Sequence, residues 1–247
     1  MMTHLAFVFG LLGNIVSFMV LLSPLPTFYE IFKKKSTEGF QSVLYVVGLF
    51  SAMLWIYYSL LKGNMILLMT INSIACFIYS AYICFFIFFA HKHERANTVK
   101  LFLLLNVIGF GLIVLLTYLL EEGLRRVNTV GWICLIFSLC VFVAPLCILR
   151  KVIRSKSVEY MPFLPSFFLT LSAVMWLFYG LLLKDYNIAI PNVLGFSFGV
   201  VQMVVYIIYR NVKKKEPADD NDIITVEDEE LKDPTIMDAV KLSGLAV

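Results

Sequence analysis

Seven stretches of this chain are apolar almost without a break, near residues 5–29, 40–61, 65–90, 101–120, 128–149, 161–183 and 187–209. Each is long enough to cross a bilayer, because a hydrocarbon core of roughly 30 Å takes about 20 helical residues. Polar and charged residues collect in the short gaps between them. The pattern predicts seven membrane-spanning helices. Lipid offers the backbone no hydrogen-bond partners, so a spanning segment must satisfy its own N–H and C=O groups, and runs this continuous are not the alternating strands of a barrel. No basic leader or small-residue cleavage site precedes the first run, so it is expected to stay as an anchor.

The gap charges predict an orientation, since Lys and Arg stay cytoplasmic. Alternate gaps on one side hold Lys33, Lys34, Lys35, Lys92, Arg95, Lys100, Arg150, Lys151, Arg154, Lys156, Arg210, Lys213, Lys214 and Lys215, against Lys62, Arg125, Arg126 and Lys184 on the other. The N-terminus is therefore expected outside and the C-terminus in the cytoplasm. A composition of 60% hydrophobic and 15% charged residues excludes a soluble domain, whose surface needs far more charge. The net charge of +3 is mostly this loop bias and implies no nucleic-acid partner. Cys76, Cys84, Cys134, Cys140 and Cys147 all fall inside apolar runs without metal-ligand spacing. They are expected to be packing residues, with no metal and no other cofactor.

Two of the runs are copies. Ser51-Ala-Met-Leu-Trp-Ile-Tyr-Tyr-Ser-Leu-Leu61 returns 121 residues later as Ser172-Ala-Val-Met-Trp-Leu-Phe-Tyr-Gly-Leu-Leu182. The copy extends to Pro24 with Pro145, to Ser36-Thr-Glu38 with Ser157-Val-Glu159, and, after a small gap, to Asn72 with Asn192. A triplet of helices turns the chain over, and the uncopied run 101–120 turns it back. The expected fold is an all-α membrane protein of seven transmembrane helices in a 3+1+3 arrangement, two parallel three-helix bundles joined by a linker helix. The expected units are residues 1–92, the linker 93–126, residues 127–210, and an acidic, Pro-containing tail 211–247 expected to be disordered and cytoplasmic.

No run carries Asp, Glu, Lys, Arg or His in its interior. Ion coupling needs an ionisable group at membrane depth, so a proton-driven pump, a charged substrate and intramembrane hydrolysis are all excluded. No Ser-His-Asp set, HExxH or Walker pattern occurs, and an enzyme is not expected. What remains at depth is a duplicated neutral set: Ser17 and Ser138, Ser51 and Ser172, Asn72 and Asn192, with Trp55 and Trp176. An amide both donates and accepts, as sugar hydroxyls require, and an indole face suits the C–H face of a pyranose. A small neutral polyol is the expected ligand. A lone Ser is as well explained by bonding to a neighbouring helix, but packing seldom demands the same Asn and Trp twice. Gly195-x-x-x-Gly199 is expected to serve close helix packing. Pro24, Pro145, Pro162 and Pro165 lie near the cytoplasmic ends of the first, fifth and sixth helices, where a missing N–H favours a kink and a hinge.

Pro24-Leu-Pro-Thr-Phe28, Lys35-Ser-Thr-Glu-Gly-Phe-Gln-Ser42, Leu54-Trp-Ile-Tyr-Tyr58, Thr70-Ile-Asn72, Ser157-Val-Glu-Tyr-Met-Pro-Phe163, Trp176-Leu-Phe-Tyr-Gly180 and Pro191-Asn192 together resemble the eukaryotic, especially plant, SWEET sugar facilitators over residues 5–210. Those transporters are a standing example of parallel repeats about an axis along the membrane normal. The resemblance implies bidirectional, uncoupled sugar movement by alternating access, in the plasma membrane or, as the alternative, a vacuolar or other internal membrane. It places the sugar pocket on Trp55, Asn72, Trp176 and Asn192, with size-setting residues Ser17, Val20, Ser51, Ser138, Val141 and Ser172. Small residues at Val20, Ser51, Val141 and Ser172 resemble the sucrose-carrying plant subgroup. The outer gate falls on Lys62 and Asp185 with Tyr58 nearby, the inner gate on Phe40 and Met161. Leu44 stands where the family pattern usually has proline, which implies a stiffer inner hinge. Homo-oligomerisation is left open. The alternatives are a seven-helix receptor, which lacks the repeat and would need Asp-Arg-Tyr and Asn-Pro-x-x-Tyr motifs absent here, and a sorting or scaffold protein that moves no solute.

Overall fold

The protein is described by a computed structural model covering residues 2–37, 40–141, 149–150, 152–154 and 163–210, with backbone only at 2, 3, 141, 163 and 164. Pro145, Cys147, Met161, Pro162, the tail 211–247 and the side chain of Val141 lie outside the described residues. The helices are α1 (Met2–Leu21), α2 (Leu25–Lys34), α3 (Val43–Lys62), α4 (Ile66–Phe89), α5 (Lys92–Phe102), a π-helical segment Leu103–Gly109, α6 (Phe110–Leu120), α7 (Gly123–Val141), α8 (Phe163–Leu182) and α9 (Tyr186–Tyr209). No strand occurs among the described residues. Six helices or helix pairs there are long and apolar enough to cross a membrane.

Local chemistry sets the breaks. Pro24 separates α1 from α2, and α2 stops at Lys35, whose φ of 54° leaves the helical region. Gly63, at φ 67°, ends α3, a conformation only glycine adopts without strain. The α8–α9 turn is tight because Gly180 has no side chain: a Cβ there would lie 2.9 Å from the Ala189 N and 3.1 Å from the Asp185 O. The linker differs from expectation at its start. It becomes helical at Lys92, well before the apolar run at 101, because its polar first turns have partners: Arg95 donates to the Ile87 and Ala90 carbonyls at the end of α4. Hydropathy alone cannot register such a turn. The linker then lies along α3, through Ser42 with Thr98 (2.6 Å), Asn106 Nδ2 donating to the Val46 O (3.3 Å) and Tyr57 with Thr117 (2.9 Å).

The other helices close into a ring: α1 on α4, α4 on α3, α3 on α7, α7 on α9, α9 on α8, and α8 back on α1. Shifting the first half onto the second reproduces this ring, so the arrangement is 3+1+3 with a pseudo-twofold axis down its centre. Outward-facing residues are large and apolar, including Phe77, Phe88, Leu120 and Leu124, as a lipid-facing surface requires. Cys76 and Cys134 pack inward as expected, but Cys84 and Cys140 do not; they face outward, where lipid makes an apolar thiol cheap to expose. Gly199 meets Thr170 of α8 so closely that no Cβ would fit between them.

Candidate functional site

On the central axis lies a cavity of about 400 Å³. It falls within the range for small-molecule pockets, roughly 300–1,000 Å³. Its wall takes Ser17 and Val20 from α1, Ser51 and Trp55 from α3, Asn72 from α4, Ser138 from α7, Ser172 and Trp176 from α8 and Asn192 from α9, so every described side chain of the expected pocket lines it. Leu44, Val47, Gly48, Tyr79 and Pro191 complete much of the rest, and no Asp, Glu, Lys, Arg or His of the described residues contributes.

The asparagines are held alike. Asn72 Nδ2 donates to the Leu68 O (2.8 Å) and Asn192 Nδ2 to the Ile188 O (2.7 Å), each one turn back. Each amide keeps a second N–H and its carbonyl oxygen for another partner, facing the cavity from opposite sides. Pro191, inside α9, removes one backbone bond beside Asn192. Trp176 Nε1 donates to Ser17 Oγ (2.9 Å), and Ser17 Oγ shares a bond with Ser172 Oγ (2.8 Å), which links α1 to α8 across the wall.

At the end of the bundle where α3 finishes and α9 begins, the three expected gate residues meet. Lys62 Nζ lies 2.5 Å from Asp185 Oδ2 and donates to the Tyr58 hydroxyl at 3.1 Å, while that hydroxyl donates to Asp185 Oδ2 at 2.8 Å. The Asp185 carboxylate is wholly buried and Lys62 keeps 32% of its side chain exposed. Such a pair tolerates burial because both carboxylate oxygens accept hydrogen bonds, and removal of one partner leaves a costly buried charge. The fourth member is Asn187, which the sequence did not disclose. Its backbone N–H donates to Asp185 Oδ1 (3.1 Å), capping α9, and its Nδ2 donates to the Tyr58 hydroxyl (3.4 Å). Its repeat counterpart is Leu67, so a search for residues kept in both copies passes over it. Asn14 was missed for the same reason; it donates to the Gly10 and Leu67 carbonyls, both at 2.9 Å, and ties α1 to α4.

At the opposite end Phe40 is half-buried against the core cluster that holds Phe28, Tyr45 and Phe86, with Lys34 Nζ 5.8 Å from its ring, and it does not line the cavity. Pro24 sits at the α1–α2 break and Pro165 in the first described turn of α8.

A family model described as "Sugar efflux transporter for intercellular exchange" matches the chain twice, over residues 7–94 and 128–214, two segments that begin 121 residues apart. Bidirectional sugar transporter SWEET10 of Arabidopsis thaliana is 59% identical over 83% of this chain and 71% of its own length. Bidirectional sugar transporter SWEET13 of Oryza sativa subsp. japonica is also 59% identical, over 83% and 70%. The solved structure titled "The 3.7 A resolution structure of a eukaryotic SWEET transporter" superimposes with a TM-score of 0.81 at 35% identity, covering 85% of this chain and 98% of that one. The repeat, the ring of helices and the two-fold family match lead to one assignment, to a class of carriers and not of enzymes: this chain belongs to the SWEET family of multi-pass membrane sugar transporters.

Proposed function

We propose that this transporter moves sucrose, with hexoses as smaller cargo, down their gradients in either direction by alternating access and without proton coupling. The observation that carries the proposal is the uncharged cavity between the halves, walled by paired Asn and Trp side chains. A neutral polyol finds donors, acceptors and indole faces there, and no group that could take up or release a driving proton. Small side chains at Val20, Ser51 and Ser172 leave width for two sugar rings.

Lys62, Tyr58 and Asp185 form the outer gate in this reading, Phe40 with Met161 the inner one, and Pro24, Pro145, Pro162 and Pro165 the hinges. The loop charges support an extracellular N-terminus and a cytoplasmic C-terminus, in the plasma membrane. A carrier must release what it binds, so affinity is expected to be on the order of millimolar. Tracer uptake into liposomes containing only this protein tests the proposal: sucrose enters faster than it does into protein-free vesicles, and a protonophore leaves the rate unchanged. A clear fall on collapsing the proton gradient contradicts the uncoupled mechanism, and glucose flux without sucrose flux contradicts the substrate.

A further inference from the structure

The cavity has two walls related by the repeat, and their hydrogen bonding is not the same. On the α1–α8 wall, Ser17, Ser172 and the Trp176 N–H bond to one another, which uses the indole N–H and one of the two hydroxyl protons. On the α3–α7 wall the equivalent residues are Ser138, Ser51 and Trp55. Among the described residues the two hydroxyls and the Trp55 indole N–H have no hydrogen-bond partner, although all three residues line the cavity.

The cause lies one turn along. Trp176 packs on Gly13, where a Cβ would stand 3.1 Å from its Cε2 and 3.3 Å from its Nε1 and would push the indole back by a few tenths of an ångström. At the repeat position on α7 stands Cys134, 1% exposed, so the second wall carries a buried side chain where the first has none. The indole that reaches Ser17 on one wall has no such berth on the other. Residues that match in sequence therefore differ in what they can offer a ligand.

We propose that the sugar is hydrogen-bonded chiefly on one wall, the α3–α7 wall. Ser51, Ser138 and the Trp55 N–H read its hydroxyls, the two asparagines hold it from both sides, and Ser17, Ser172 and Trp176 form a clasp that joins α1 to α8 and offers the sugar an indole face and a single uncommitted hydroxyl proton. Ser17 and Ser172 are thus positioning residues, and the sugar is bound in one orientation although the pocket is pseudosymmetric. This inference rests on the proposed sucrose transport.

Equilibrium binding of radiolabelled sucrose to the purified full chain, read beside exchange rates in liposomes, tests it. Ser51→Ala, Ser138→Ala and Trp55→Phe each weaken binding about 2- to 10-fold, the loss of one net hydrogen bond. Ser17→Ala and Ser172→Ala instead lower the melting temperature and change the exchange rate, with Kd moving less than about twofold. Monodeoxy sucrose analogues add a readout that a packing role would not move: at least one loses affinity for the wild-type chain yet binds Ser51→Ala as well as sucrose does, because hydroxyl and partner are then both gone. Equal losses of affinity from the two walls, or no such analogue, overturn the one-walled site while sucrose transport stands. A wild-type chain that binds no sucrose overturns the transport proposal and this inference together.

Discussion

Where α1 meets α8, Gly10 faces Leu67 and Tyr179; where α3 meets α7 and the start of α9, Gly131 faces Asn187 and Tyr58, the repeat-related set. The packing has been kept and the chemistry has not. On the first seam the Tyr179 hydroxyl donates to the Met65 sulfur at 3.9 Å, a weak acceptor, and Leu183 packs nearby. On the second, Asp185 replaces that sulfur, Lys62 stands where the first has Leu183, and Tyr58 joins both charges. A duplicated seal thus has one greasy side and one ionic side. An ion pair met by two hydrogen-bonding neighbours, Tyr58 and Asn187, can be broken and remade in water in the proposed opening of this end, whereas an apolar contact of similar area loses its stabilisation in proportion to the surface parted. In the proposed transport cycle the ionic seam is the latch.

The sharpest way to break the comparison is to remove one latch charge. Lys62→Met leaves Asp185 buried with Tyr58 and Asn187 alone, and weakens the contact between α3 and α9 at this end by about 2–3 kcal/mol, below the usual cost of a fully buried pair because Lys62 is one-third exposed. A cysteine placed at Ser51, with Cys84 and Cys140 replaced by Ser, should then react at least tenfold faster with an impermeant thiol reagent added on the Lys62 side. Leu183→Ala, the matching change on the greasy seam, should leave that rate within about threefold. Unchanged labelling in Lys62→Met would remove the latch from the account.

Next come the glycines. Gly10→Ala drives a methyl to within 2.6 Å of Leu67 Cδ1 and 2.8 Å of the Tyr179 ring, and costs about 1–3 kcal/mol of stability, read as a lower melting temperature. Gly131→Ala costs less, because its nearest neighbour is the Asn187 side-chain amide, which can swing away by giving up its bond to Tyr58. Equal losses would mean that both seams are equally rigid. The smallest effect separates the tyrosines: Tyr58→Phe removes the hydroxyl that joins Lys62, Asp185 and Asn187, worth about 1 kcal/mol, and Tyr179→Phe removes only a bond to sulfur, worth less than about 0.5 kcal/mol. Thiol labelling of the Ser51→Cys background ranks the two.

Much of this was legible in the chain. Apolar runs of bilayer length gave the spans, because lipid leaves a backbone few alternatives, and the return of Trp55 as Trp176 and Asn72 as Asn192 marked the residues that the ring turns inward. Symmetry was the signal, so what departs from symmetry was hidden. Asn187 and Asn14 have apolar counterparts, Gly13 answers to Cys134, and nothing in spacing or polarity says that Trp176 reaches a serine while Trp55 does not. The early start of the linker helix was invisible for another reason: its first turns are polar and are held by Arg95 capping α4, a contact between elements.

The central claim is that sugar passes between Asn72 and Asn192. Sucrose counterflow in liposomes measures it most directly, comparing the wild-type chain with Asn72→Ala and Asn192→Ala at equal protein and with unchanged elution on size exclusion. The account predicts that either substitution abolishes counterflow, and near-normal flux through either variant would contradict it.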